Sequence, residues 1–239
     1  MSGARWKRAS PAASASVGFF RLPIEARNKI YQQVLVVPHP LYLFQDPGCQ
    51  VETFAPETPY QWLALLYTNR QISNEARAIL YGINRFTLQD AGQRQGSLLK
   101  SFLNCIGPVN TGLLSYLCID FPATERTESQ LGRIKLREDS VQSLQLLQKE
   151  CTRLKTLEVL LYSQDSRDLI QTDQEINIKL VQEILSEIHL QFQDIASLTK
   201  IIVRVCNGSP ASSVKEFMQG LGWIVLVGDR YVGAVGNEE

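Results

Sequence analysis

The sequence predicts an α/β fold with a mostly parallel sheet, and three observations lead there. Five segments share one spacing: an apolar residue, two spacers, a second apolar residue, one spacer and a third. They are Ile83/Phe86/Leu88, Leu114/Leu117/Ile119, Leu154/Leu157/Val159, Leu198/Ile201/Val203 and Leu221/Ile224/Leu226. The last two positions of each alternate as on one face of a strand. Each segment closely follows a helical apolar pattern, and helix–strand units in series build parallel sheets with helices packed on them. Hydrophobic residues make up 44% of the 239 and charged residues 20%, which fits a globular chain with a sizeable core and excludes collagen, wholesale disorder and a disulfide-dense scaffold.

Taken in order, residues 1–18 read as a disordered basic tail, with Arg5, Lys7 and Arg8 ahead of an Ala/Ser/Pro run. The tail has no apolar core of a secretory signal, and Pro11 interrupts any amphipathic helix there. Folding starts at Phe19-Phe20-Arg21-Leu22-Pro23-Ile24-Glu25. Proline suits a first helical turn, and Glu25 sits where the helix dipole favours a carboxylate. Ile30, Tyr31, Val34 and Leu35 form a helical stripe that Pro38 and Pro40 end. Leu41 to Phe44 read as a strand or extended piece, followed by a loop. A long helix is expected from Gln61 to Gly82, with Trp62, Leu65, Leu66, Ile72, Ala76, Ile79 and Leu80 on one face. Asn69 shares that stripe and is expected to be a buried amide fixing a backbone or a nearby loop.

The later helices are marked by Leu98, Leu99, Phe102, Leu103 and Ile106, stopped by Gly107-Pro108; by Val141, Leu144, Leu147 and Cys151; by Val181, Ile184, Leu185, Ile188, Phe192 and Ile195; and by Val214, Phe217, Met218 and Leu221, ended by Gly220 and Gly222. Thr172 with Glu175, and Ser213 with Glu216, have capping-box spacing. Pro122 opens a polar loop, expected to be flexible, to about residue 137. The L-x-x-L-x-L strand resembles that of a leucine-rich repeat, with irregular periods. An ordinary α/β layer with coincidental strand spacing is the alternative.

Charge and cysteine usage narrow the function. Basic and acidic residues balance at 24 each, which argues against generic nucleic-acid binding. Residues 1–35 carry six basic groups and one acidic group, a net of +5, and the rest of the chain compensates. No window is apolar enough for a membrane span. The five cysteines, Cys49, Cys105, Cys118, Cys151 and Cys206, are widely spaced and odd in number, as expected of reduced thiols in the cytoplasm or nucleus. His39 and His189 are the two histidines, and their placement gives no zinc spacing. His189 lies at the polar edge of its helix and reads as a surface side chain.

Two blocks carry a family resemblance. Leu22-Pro23-x-Glu25-x-Arg27-Asn28-x-Ile30-Tyr31, with Leu35 following, is one. Leu65-Leu66-x-Thr68-Asn69-Arg70-Gln71-Ile72-x-x-Glu75-Ala76-x-x-Ile79-Leu80-Tyr81-Gly82-x-Asn84-x-Phe86 is the other. Together they resemble the opening of F-box-like proteins abundant in filamentous fungi and make residues 19–90 an F-box-like region, with residues 91–239 the leucine-rich-repeat-like α/β region. The resemblance implies a partner, the Skp-type adaptor of a cullin-based SCF ubiquitin ligase, bound by Leu22, Pro23, Ile24, Ile30 and Leu35, with Phe19 and Phe20 beside them. It also implies that the C-terminal region captures a substrate. The apolar stripe of the first helix fits a partner's groove or the protein's own core equally well in physical terms.

If the triplets face the helices, a second face carries Tyr116, Cys118 and Asp120; Glu158, Leu160 and Tyr162; Lys200, Ile202 and Arg204; and Trp223, Val225 and Val227. Aromatics with Arg are what interfaces favour, so Tyr116, Tyr162, Arg204 and Trp223 are candidate contacts. The alternative is that the N-terminal helices cover this face. Glu158 is expected to pair with Lys200 or Arg204 on a neighbouring strand.

No pair of carboxylates has a spacing that implies acid–base work, no P-loop, G-x-G-x-x-G or G-x-S-x-G occurs, and Gly220-Leu221-Gly222 follows a helix and precedes a strand, the reverse of a phosphate-binding order. The expectation is therefore a protein without catalytic residues, cofactor or metal: a non-catalytic interaction module, an SCF substrate receptor or a stand-alone binding or accessory protein with no ubiquitin-ligase link.

Overall fold

A computed structural model describes residues 18–56, 58, 61–89, 95–126, 134–162, 175–206 and 208–228. The basic tail up to residue 17 and the Thr172 cap lie outside the described residues. A 3-10 turn (Phe19–Arg21) leads into α1 (Ile24–Leu35), β1 (Leu41–Phe44), β2 (Glu52–Phe54), a 3-10 segment (Trp62–Tyr67), α2 (Arg70–Ile83) and β3 (Phe86–Leu88). Then come α3 (Gln95–Thr111), β4 (Tyr116–Asp120), β5 (Thr124–Arg126), β6 (Ile134–Leu136), α4 (Glu138–Glu150), β7 (Thr156–Tyr162), α5 (Glu175–Gln193), β8 (Lys200–Cys206), α6 (Ser212–Gly220) and β9 (Ile224–Val227).

The architecture is mixed α/β around a mostly parallel sheet of seven strands, ordered β2-β1-β3-β4-β7-β8-β9. Each neighbouring pair runs parallel except β1 and β2. β2 takes one edge of β1 and β3 the other, and from β3 onward each strand of the sheet adds beside the sheet strand before it. Right-handed crossovers between such neighbours place the helices on one side. The packing agrees. Among the described residues, buried apolar side chains of all the α-helices join one contiguous cluster running from Tyr31 to Trp223, while a second cluster holds strand residues: Cys118, Leu160 and Cys206, with Tyr116 and Tyr162 against them. The N-terminal helices therefore do not cover the second face. Tyr31, Leu35, Ala76 and Leu80 bind α1 and α2 into the same core as the later units.

Four triplets match the register. Phe86 pairs with Leu117, Leu117 with Leu157 and Leu157 with Ile201, and Ile119 pairs with Val159 and Val159 with Val203. Each fully buried leucine in this row adds about 2 kcal/mol of apolar transfer. The fifth triplet is off by one residue. Ile202 pairs with Ile224 and Val203 with Val225, so Trp223 and Val225 enter the core while Ile224 and Leu226 are exposed. The cause lies at the end of α6. Gly222, at φ +83°, lets Trp223 N–H bond back to the Met218 carbonyl and Gly222 N–H to that of Gln219, a Schellman turn that aims Trp223 inward over Met218.

Local chemistry corrects four other expectations. The helix expected from Gln61 to Gly82 is two pieces. Asn69 is exposed and caps α2, its Oδ1 accepting Ile72 N–H at 3.0 Å, which ends the preceding 3-10 segment. The buried tying amide is instead Asn84. Its Oδ1 accepts Val37 N–H at 2.9 Å, and its Nδ2 donates to the carbonyls of Leu35 and Leu80 at 2.9 and 3.0 Å, joining the ends of α1 and α2. Ser213 caps nothing. Ala211 holds the cap position of α6 and no side chain bonds there. The loop after Pro122 includes an antiparallel hairpin, β5 with β6. The stop at Gly107-Pro108 takes the form of a kink, with Gly107 at φ 77° and one more turn to Thr111.

Candidate interaction surfaces

The first surface is built on α1. Its inner face is locked to α2 by a polar cluster. Arg27 donates to Glu75 through Nε at 2.9 Å and Nη2 at 2.7 Å, and through Nη1 to the Leu22 carbonyl at 2.6 Å. Tyr31 Oη donates to Glu75 at 2.8 Å, and Gln71 Nε2 adds a bond at 3.0 Å. The twin guanidinium bonds hold the Glu75 carboxyl down at about 2. Burial, with the Glu75 bond second, pushes the Tyr31 phenol up to about 12. The bond to Leu22 also pins the turn at Leu22-Pro23, where Pro23 takes the cap position just ahead of the helix.

With Arg27, Tyr31 and Leu35 turned inward, apolar side chains at the borders of that face are left partly exposed: Phe20 50%, Ile24 40%, Ile30 41% and Val34 39%, while the far side carries Glu25, Lys29, Gln32 and Gln33. Ile30 and Val34 stand one turn apart on α1. Pro23 is exposed and Leu22 half-buried. Phe19 is half-buried, its ring 5.9 Å from those of Phe20 and Tyr31. Leu35 does not belong to this surface. It is 0% exposed and packs in the core, because it lies on the Tyr31 side of the helix. Val34 belongs in its place, and its i,i+4 spacing from Ile30 is the signal that marks it.

The second surface is the sheet face opposite the helices. Register carries one row across the sheet through Tyr42, Thr87, Cys118, Glu158, Ile202 and Ile224, and the next through Asp120, Leu160, Arg204 and Leu226. At its centre Glu158 is 1% exposed and takes bonds from the diagonal neighbour on either side: Arg204 Nε donates at 2.6 Å and Tyr116 Oη donates to Oε2. Arg204, not Lys200, is thus the partner of Glu158. Tyr116 and Tyr162 flank the patch half-buried, and Arg204 lies between them and the β9 edge. Trp223 is on the other side of the sheet. It is 3% exposed, packs on Phe192 at 5.5 Å between ring centres, and donates Nε1–H to His189 Nδ1 at 3.1 Å. His189 is accordingly a half-buried acceptor and not a free surface side chain.

No protein-family model, curated protein or solved structure matches this chain. Among the described residues, no three His, Cys, Asp or Glu side chains gather as a metal ion would need, and no helix is long and apolar enough to cross a membrane. None of the five cysteines is in a disulfide; Cys118, Cys151 and Cys206 are buried and Cys49 and Cys105 exposed. Burial raises the Cys151 thiol to about 12, which makes it inert as a nucleophile.

Proposed function

We propose that this chain is a non-catalytic protein-interaction module, F-box-like at its N-terminus, acting in the cytoplasm or nucleus as a substrate receptor of an SCF-type ubiquitin ligase. The observation that supports the reading is the set of exposed apolar side chains Phe20, Ile24, Ile30 and Val34 bordering the face of α1 that Arg27 and Glu75 fix. A helix anchored on one face, with an exposed apolar pair at Ile30 and Val34 beside it, suits contact with a partner's groove. The leucine-rich-repeat-like sheet, with Tyr116, Tyr162 and Arg204 on the face opposite the described helices, then serves to hold the substrate.

A second reading has its own support. Residues between the two family-like blocks form β1 and β2 and extend the main sheet, so the N-terminal region is built into the α/β body. A stand-alone binding protein with no ubiquitin-ligase link accommodates that construction.

Co-purification of the full chain with a recombinant Skp-type adaptor, read by size-exclusion chromatography with light scattering, separates the two. The receptor reading expects a stable one-to-one complex that Ile30→Asp with Val34→Asp weakens at least tenfold while the urea midpoint of the chain stays in place. Folded wild-type protein that forms no complex overturns it in favour of the stand-alone module.

A further inference from the structure

Among the described residues the main sheet ends in two unlike edges. At one, β2 is three residues long, carries Glu52 and is followed by Pro56, and each of these features deters a further strand. At the other, β9 reads Ile224-Val225-Leu226-Val227, without charge or proline, in unbroken register with β8. Its Ile224, Leu226 and Val227 are 41%, 37% and 52% exposed. An uncharged apolar edge of this kind is a template for another strand.

The backbone sets what that strand must offer. Gly228 N–H bonds the Val205 carbonyl at 3.0 Å, and the peptide groups of a strand alternate in direction. Leu226 therefore turns its N–H and C=O toward β8, as Gly228 does, while Val225 and Val227 turn theirs to the open edge. An antiparallel copy of the same strand fits these four groups. With Leu226 opposite Leu226 of the copy, Val225 of each chain falls opposite Val227 of the other, and each such pair exchanges two hydrogen bonds.

The side chains agree with that register. The Leu226 pair is a non-hydrogen-bonded one, with Cα atoms about 4.5 Å apart, so the two leucines touch. Val225 packs on Val227, and Ile224 falls beside Gly228, where no side chain competes for space. No charge meets its own image across the seam, because Arg204, the neighbour of Leu226, stands one strand back and is held by Glu158 at 2.6 Å. A two-fold axis normal to the sheet closes the pairing at two chains and keeps the helices of both copies on one side.

We propose that β9 pairs antiparallel with β9 of a second copy of this chain, centred on Leu226, making a dimer with one continuous sheet. The inference does not depend on adaptor binding, since α1 is clasped to α2 ahead of β3, toward the other end of the sheet order.

The test is sedimentation equilibrium of the full chain over a concentration series from micromolar to near-millimolar, with amide hydrogen exchange at Val225 and Val227. Expected are a mass that rises to twice that of the chain and protection of both amides that grows with concentration. Leu226→Lys sets two ammonium groups side by side on the axis. It is expected to weaken the dimer at least tenfold while the urea midpoint at low concentration stays in place. The register is read by cross-linking in a chain carrying Cys49→Ser and Cys105→Ser. Under mild oxidation Leu226→Cys is expected to link the two copies, because its Cα spacing suits a disulfide, and Ile224→Cys, displaced along the strands, is not. The proposal is overturned by a chain that stays monomeric throughout the series. In that case protected edge amides give the edge to residues 229–239 of the same chain, and unprotected ones leave it to a foreign strand. It is overturned equally by a dimer that folded Leu226→Lys leaves as tight as the wild type, or by one in which Leu226→Cys does not cross-link ahead of Ile224→Cys.

Discussion

Arg27 and Glu75, 48 positions apart, meet through two parallel hydrogen bonds, and each comes from a different one of the two sequence blocks that mark the N-terminal region. Tyr31 of the first block bonds the same carboxylate. The two motifs are thus halves of one polar clasp between α1 and α2, set among the buried side chains of Leu35, Ala76 and Leu80. Removing Glu75 strands a largely buried guanidinium. Glu75→Ala is expected to cost about 2 kcal/mol or more in urea unfolding. Paired with Tyr31→Phe in a double-mutant cycle, it should show coupling, and additive effects would exclude a shared cluster.

The same carboxylate gives the protein an acid limb. Its value is about 2 in the folded chain against 4.5 ordinarily, so its stabilisation is complete above about pH 4.5 and is lost as the pH falls through 2. Tyr31 and Cys151 act oppositely. Both are raised to about 12, from 10.0 and 9.0, so their contributions are complete below those ordinary values and vanish as the pH climbs through 12. Urea midpoints measured against pH should fall at both ends, and Glu75→Gln should flatten the acid limb and weaken, without abolishing, the alkaline one, to which burial of Tyr31 and Cys151 still contributes.

The two faces of α1 should respond differently to truncation. Leu35→Ala is expected to destabilise by about 3 kcal/mol, as a fully buried leucine does. Ile30→Ala and Val34→Ala should each stay within about 0.5 kcal/mol. Equal losses at all three positions would show that the outer row is packed in solution.

Trp223 offers a check on the strand register. Trp223→Ala should cost about 3–5 kcal/mol, and Trp223→Phe about 1 kcal/mol for the lost bond to His189. An indole on the helix-free face would give values near zero. Near-UV circular dichroism of the two variants follows the loss of the packed ring directly.

Gly222 sets that register through its backbone. At φ +83°, with open space where a Cβ would go, Gly222→Ala is strained by conformation alone and should cost about 1–2 kcal/mol, read as a lower thermal midpoint.

The sheet was legible because its interior strands bury one face against helices, and that face must be apolar with a period of two. Leu117, Leu157 and Ile201 align as their spacing suggests. The last strand misled because it is an edge, apolar on both sides, so Ile224 and Leu226 imitate the pattern that Trp223 and Val225 obey. The cap at Asn69 and the buried amide at Asn84 exchanged expected roles for a related reason. An amide's partners are backbone groups, and backbone groups leave no mark in side-chain periodicity. The pairing of β5 with β6 was invisible because its stretch has the composition of a loop. On α1 one apolar stripe of Ile30, Tyr31, Val34 and Leu35 was legible, but separating buried Tyr31 and Leu35 from exposed Ile30 and Val34 required the position of α2 and its Glu75.

Because β1, β3, β4, β7, β8 and β9 stand in the sheet in the order in which they are synthesised, every strand after β1 finds its docking edge already made when it leaves the ribosome. Such an order lets the sheet assemble by accretion from the amino end, with no gap held open for a latecomer. Among the described residues its far edge is β9, where Ile224, Leu226 and Val227 are exposed.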